Sequence, residues 1–81
     1  MNVQIRFFAL ARELAETGDA TLELPEAATV ADLRKSVARR WPALAALSSQ
    51  VMIAVNSQYA NDSASVPAHA EVAFIPPVSG G

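Results

Sequence analysis

The residues able to do chemistry stand at the end of the chain, in the stretch "PPVSGG". Gly80 and Gly81 offer a slim, unbranched terminus that carries a carboxylate. A narrow active-site tunnel would admit Gly-Gly and little else, because any Cβ would meet the walls. At neutral pH the carboxylate is ionised and is a poor acyl donor. Activation, most simply as an acyl-adenylate formed with ATP, would let it take up sulfur or be attacked by an amine. The chain holds nothing that performs this activation: no phosphate-binding glycine loop, no cysteine, and one histidine, His69. The expectation is therefore a carrier or substrate whose chemistry is done by others. It binds no cofactor and no metal itself; ATP is used by the activating enzyme. Pro76 and Pro77 favour polyproline geometry and project the tail over 75–81 away from what precedes it. Val78 and Ser79 add reach. A loose, inert end is the competing reading, since chain termini are commonly disordered and tolerant of change.

Size and composition narrow the classes of function. The chain has 81 residues, so a single domain over 1–81 is expected. A chain this short buries only about 60–65% of the surface it exposes when unfolded. With 52% hydrophobic and 17% charged residues, some apolar side chains must stay outside, where they can mark a partner site. A formal net charge of −2 argues against nucleic acid as a partner, which calls for a basic stripe. Arg34, Lys35, Arg39 and Arg40 cluster, but on an expected helix, where they read as a solvated face; a docking surface for an acidic partner is the alternative. No stretch is long enough to span a bilayer, so no membrane partner is expected. The opening "MNVQIRFFALAREL" is interrupted by Arg6 and Arg12 and does not read as a leader. With no cysteine to suggest an oxidising compartment, the expected location is cytoplasmic.

Periodicity places the elements. In "NVQIRFF" (2–8) Val3, Ile5 and Phe7 share one face of a half-buried strand. Phe8 is a large apolar group on the other, polar face. "ALARELAE" (9–16) suits a short helix closed by Gly18. "ATLELP" (20–25) alternates again and ends at Pro25, as a return strand. Thr29, with Asp32 three residues on, forms a capping-box start for a helix running to about Trp41. Val30, Leu33, Val37 and Trp41 lie on one face of it. "PALAALSS" (42–49) is a loop or a short helical turn. "QVMIAVN" (50–56) is a strand, "QYA" (58–60) a short one, and "AEVAFI" (70–75) the last. Pro76 and Pro77 cannot donate ladder hydrogen bonds, so pairing stops there.

This order fits an α+β fold: a mixed sheet with one main helix across one face, as in ubiquitin-like β-grasp domains. The first and last strands would lie parallel and adjacent. Phe8 and Ile75 would then meet on the uncovered face, with Met52 and Tyr59 nearby.

The segments "RFFALAREL", "IAVN" and "EVAFIPPVSGG" carry a resemblance that runs the length of the chain. It resembles the small subunits of molybdopterin synthase, the MoaD family of sulfur carriers. The resemblance implies a β-grasp fold and a Gly81 carboxylate adenylated by a ubiquitin-activating-enzyme-like adenylyltransferase. A sulfur donor protein then supplies the sulfur of a thiocarboxylate. The large synthase subunit binds the pterin precursor and receives the tail. Two carriers each give one sulfur to the molybdopterin dithiolene, within a heterotetramer. The chain would thus be a non-catalytic subunit of an enzyme, with Gly81 and Gly80 at the reacting end. By the same resemblance Phe8, Arg12, Tyr59 and Ile75 face the partner, and so do Pro76, Pro77, Val78 and Ser79. Tyr59 and Ile75 stand where other members often carry Leu and Phe. "PAHAEV" replaces an Asp-Gly turn, which makes His69 a surface turn residue. Other readings within reach are a sulfur carrier of another pathway such as thiamin synthesis, and a ubiquitin-like modifier joined through Gly81 to lysines. A binding module with an inert tail is a third.

Overall fold

Strict alternation makes the first strand, β1 (Asn2–Phe7): Val3, Ile5 and Phe7 are buried while Asn2, Gln4 and Arg6 are exposed. A computed structural model describes residues 1–77. Its further elements are α1 (Ala9–Ala15), β2 (Asp19–Glu23), α2 (Val30–Arg40), a 3₁₀ turn (Pro42–Leu44), β3 (Met52–Val55), β4 (Gln58–Ala60) and β5 (Glu71–Ile75). The sheet order is β2-β1-β5-β3-β4. β1 returns antiparallel through β2 and pairs parallel with β5, with Ile5 opposite Val72 and Phe7 opposite Phe74. The β3–β5 and β3–β4 pairs are antiparallel. The chain thus has the α+β, ubiquitin-like β-grasp architecture that its pattern of strands and helices implies.

α2 covers one face. Its start is a reciprocal cap: Asp32 N donates to Thr29 Oγ1 at 3.3 Å, and Thr29 N donates to Asp32 Oδ2 at 3.0 Å. This satisfies two backbone donors that a helix start otherwise leaves without partners. The two bonds from the Thr29 backbone and hydroxyl, aided by the nearby Lys35 charge, hold the Asp32 carboxyl below its ordinary value of 3.8. Val30, Leu33 and Val37 face the sheet and are fully buried. Phe7 packs edge-on against Trp41 at 4.9 Å and against Phe74 at 5.8 Å, tying the end of α2 to the two central strands. Each such side chain withdrawn from water stabilises the fold by about 1.5–3 kcal/mol.

Several boundaries differ from the sequence expectation, each for a local physical reason. α1 is closed by Glu16, which takes a left-handed conformation (φ 60°), and not by Gly18. The Gly18 carbonyl instead accepts the Phe7 N–H at 3.0 Å, which starts the β1–β2 pairing. β2 ends at Glu23, though Leu24 remains buried and bonded through its N–H to the Met1 carbonyl at 2.7 Å. β3 begins at Met52 because Val51, although buried, gives its carbonyl to the Arg34 guanidinium at 2.7 Å. "PALAALSS" starts as a single 3₁₀ turn that buries Leu44.

Arg34 also leaves the basic surface cluster. Its side chain is 17% exposed, and it donates to the carbonyl of Ser48 (2.6 Å) and to Asp62 Oδ1 (2.7 Å) as well as to Val51. It is a clamp joining α2 to the segment before β3 and to the loop after β4, not part of a solvated face. Arg40 lies over the Trp41 ring at 5.2 Å. Lys35 and Arg39 remain exposed.

Arg34→Ala leaves two largely shielded carbonyls without their charged donor and costs about 2–3 kcal/mol in urea unfolding. Asp62→Ala, which removes an exposed partner, costs under about 1 kcal/mol. Because the folded Asp32 value is depressed, its stabilisation is present above about pH 3.8 and is lost as pH falls through the folded value. The stability gap between the native chain and Asp32→Asn is therefore flat near neutrality and narrows below pH 3.8, measurable as urea midpoints across an acid series.

Candidate functional site

The face of the sheet opposite α2 has no covering element among the described residues. Register fixes what it presents, because paired residues share a face. One row runs Met52–Ile75, with Phe8 beside it: Met52 pairs with Ile75, and the Phe8 N–H donates to the Phe74 carbonyl at 3.3 Å. The next row runs Tyr59–Ala54–Ala73–Arg6. A third holds Glu71, Gln4 and Thr21, where Gln4 Nε2 donates to Thr21 Oγ1 at 3.0 Å. The face thus grades from apolar at the exit of β5 to polar at its start.

The large apolar groups of this face are accessible. Phe8 is 43% exposed, Met52 51% and Tyr59 67%; Ile75 is half-buried between them. Ala54 and Ala73 keep the centre low, so the larger groups rise around a shallow floor. The structure therefore brings Phe8, Tyr59 and Ile75 to one face. Arg12 is exposed on α1, its guanidinium resting against Gly18. Of the expected tail contacts, Pro77 is exposed, whereas Pro76 is buried. Val78, Ser79, Gly80 and Gly81 lie outside the described residues. Leu10 was not singled out from the sequence, yet it is 46% exposed. The available signal is the shortness of α1, a seven-residue helix that buries only Ala11.

Among the described residues, no polar constellation suited to catalysis accompanies this face. His69 is exposed in a left-handed turn (φ 62°) before β5. Among the described residues no group of His, Asp or Glu side chains is placed to hold a metal ion. Nor, among the described residues, is any helix long and apolar enough to cross a membrane. What the arrangement offers is a docking face next to the root of a tail.

The profile of the ThiS family matches residues 5–81. The chain belongs to this family. As a ThiS-family domain it is similar over its whole length to proteins named molybdopterin synthase sulfur carrier subunit. The one from Arabidopsis thaliana is 37% identical over 81 residues, covering all of this chain and 84% of the relative. The one from Caenorhabditis briggsae is 34% identical over 83 residues, covering all of this chain and 99% of the relative. Among solved structures, SAMP1 from Haloferax volcanii superposes with a TM-score of 0.88 at 25% identity, both chains fully covered. A putative molybdopterin converting factor subunit 1 from Pyrococcus furiosus gives 0.86 at 29% identity, covering 96% of this chain and 99% of the other. A chain in the complex of subunits 1 and 2 of the molybdopterin-converting factor from Helicobacter pylori shares the fold, at 0.69 and 21% identity with full coverage of both. The ThiS-family match extends across Phe8, Arg12, Tyr59 and Ile75 and on through Gly80 and Gly81.

In this ThiS-family domain the two sides of the sheet should respond oppositely to truncation. Phe74→Ala, on the α2 side, costs about 3–5 kcal/mol. Tyr59→Ala, on the open side, stays within about 0.5 kcal/mol. Thermal melts of the two variants check the contrast.

Proposed function

We propose that the chain is the sulfur carrier subunit of a molybdopterin synthase. The carrying observation is its whole-length identity to relatives of that name, with the family profile running through Gly81. The open apolar face beside the tail root supports the same reading. In this reading the Gly81 carboxylate attacks the α-phosphate of ATP on a ubiquitin-activating-enzyme-like adenylyltransferase, releasing pyrophosphate. Sulfide-level sulfur delivered by a donor protein attacks the acyl carbon, and AMP leaves as the carbonyl–sulfur bond of the thiocarboxylate forms. The tail then enters the large synthase subunit, and the sulfur passes to the pterin precursor. Hydrolysis of the carbonyl–sulfur bond returns the carboxylate. Two carriers supply the two sulfurs of the dithiolene, in a cytoplasmic heterotetramer.

The chain's own contribution is recognition and reach. Phe8, Met52, Tyr59 and Ile75 offer a patch whose burial holds a partner. Gly80 and Gly81 give the end that fits a narrow channel. The acid–base and nucleophilic groups come from the partners. The neighbour of known structure from Pyrococcus furiosus, and the Helicobacter pylori complex of two converting-factor subunits, are in keeping with a large-subunit partner.

A second reading, a protein modifier, draws on the likeness to SAMP1 from Haloferax volcanii. The two share the adenylate and diverge at the nucleophile: sulfur in one, a lysine amine in the other.

Intact-mass analysis of the native protein, with fragmentation, separates them. Replacement of one terminal oxygen by sulfur at Gly81 is expected. Localisation matters because oxidation of Met1 or Met52 gives nearly the same mass change. A plain carboxylate that persists with ATP, activating enzyme and a sulfur source overturns the reading; amide-linked conjugates in its place favour the modifier. Deletion of Gly80 and Gly81 should abolish sulfur transfer and leave the melting temperature unchanged.

A further inference from the structure

Arg6 and Arg12 belong to different elements, the outward face of β1 and the exposed side of α1, yet they line one groove of about 230 Å³ with Phe8, Gly18 and Asp19. Both arginines are exposed. Arg34, by contrast, has its donors engaged, and its bond to Asp62 is the one ion pair among the described residues. Arg6 stands in register opposite Asp19, but no carboxylate lies within ion-pair distance of Arg6 or Arg12 among the described residues. The groove therefore sets two guanidiniums against one carboxylate, on a chain whose net charge is −2.

Gly18 shapes this groove. A Cβ at that position would lie 3.4 Å from both Cζ and Nε of Arg12. The bare backbone is thus the surface against which the guanidinium lies, and an added methyl group would meet it at ordinary contact distance. Phe8 belongs both to the groove and to the apolar row of the open face. A protein that covers Phe8 must pass over the groove, displacing water and strengthening any charge pair formed there. A guanidinium presents a planar fork of donors that matches a carboxylate.

We propose that Arg6 and Arg12 form a receptor for a carboxylate side chain of the protein that docks on the open face. This rests on the proposed function, which supplies the docking protein. The apolar row gives that protein its contact area. The two arginines give it register and orientation, as charged pairs at the edge of an apolar contact do.

The probe is the large synthase subunit of the same organism, titrated with the full-length chain by calorimetry at low and at high salt. Absence of binding by the native chain overturns the function reading and, with it, the assigned partner. Given binding, Arg6→Gln and Arg12→Gln should each weaken it roughly fivefold at low salt, and the loss should shrink at high salt. Arg39→Gln, on α2, should leave affinity and salt dependence unchanged. If a Gln variant loses its cooperative melt, Lys replaces it; weaker binding with retained salt dependence then supports the receptor. Native-like affinity and salt dependence in the arginine variants overturn it, as does an equal effect from Arg39→Gln.

Discussion

The parallel pairing of β1 with β5 is the constraint from which the rest of the molecule follows. Its register sets Ile5 opposite Val72 and Phe7 opposite Phe74. Side chains alternate across a strand, so burying Phe7 and Phe74 forces Phe8 and Ile75 to the other side. A slip of one residue would reverse this, exposing the two core rings and burying the apolar groups of the open face. The core therefore defends the outer face without touching it. The T-shaped contacts of Phe7 with Phe74 and Trp41 lock the strands in the register that displays Phe8 beside Ile75. The same pairing places the exit of β5 at the edge of that display, so the tail leaves from the apolar end of the face.

Size gives this display its second cause. A domain of this length covers one face of its sheet with one long helix and has little chain left for the other. Much of the remainder is spent on the Arg34 clamp, which ties the segments around β3 and β4 to α2. Those segments hold Met52 and Tyr59 at the rim of the open face. A side chain working beneath the sheet thus steadies apolar groups above it. The clamp costs little in desolvation because two of its acceptors are carbonyls that would otherwise lie partly buried and unmatched.

The parts legible in the sequence are those set by neighbours close along the chain. Alternation gave the faces of β1 and β5. Thr29 and Asp32, three residues apart, announced the start of α2, and the family resemblance was carried by contiguous segments. The parts that were not legible depend on distant partners. Val51 continues the alternating pattern of β3, yet its carbonyl is taken by Arg34, seventeen residues earlier, so the strand starts later. Arg34 read as one of four surface cations because nothing local marks it as a clamp. Gly18 read as a helix stop because glycine favours that role; Glu16 took it at some strain, freeing Gly18 to start the sheet and to lie against Arg12. Pro76 reads as part of a projecting tail over 75–81 and is instead buried. The grouping of Arg6 with Arg12 needs the turn from β1 into α1, which periodicity alone does not describe.

One face and one tail root also limit the order of events in the proposed function. A protein that draws the tail into its active site must sit where β5 ends, over Phe8, Met52 and Ile75. The chain presents this apolar row once, so under the proposed function a protein that activates Gly81 and a protein that consumes the sulfur would compete for it and bind in turn. Affinity for each must then be modest enough for exchange. The face has the means for this: a few apolar groups around an alanine floor, with exposed charges at the edge whose pull is screened by salt. A broader or flatter apolar surface would bind more tightly and would also invite the isolated chain to associate with itself. Keeping Ala54 and Ala73 small at the centre restricts the contact area, so that neither partner holds the carrier beyond its own step.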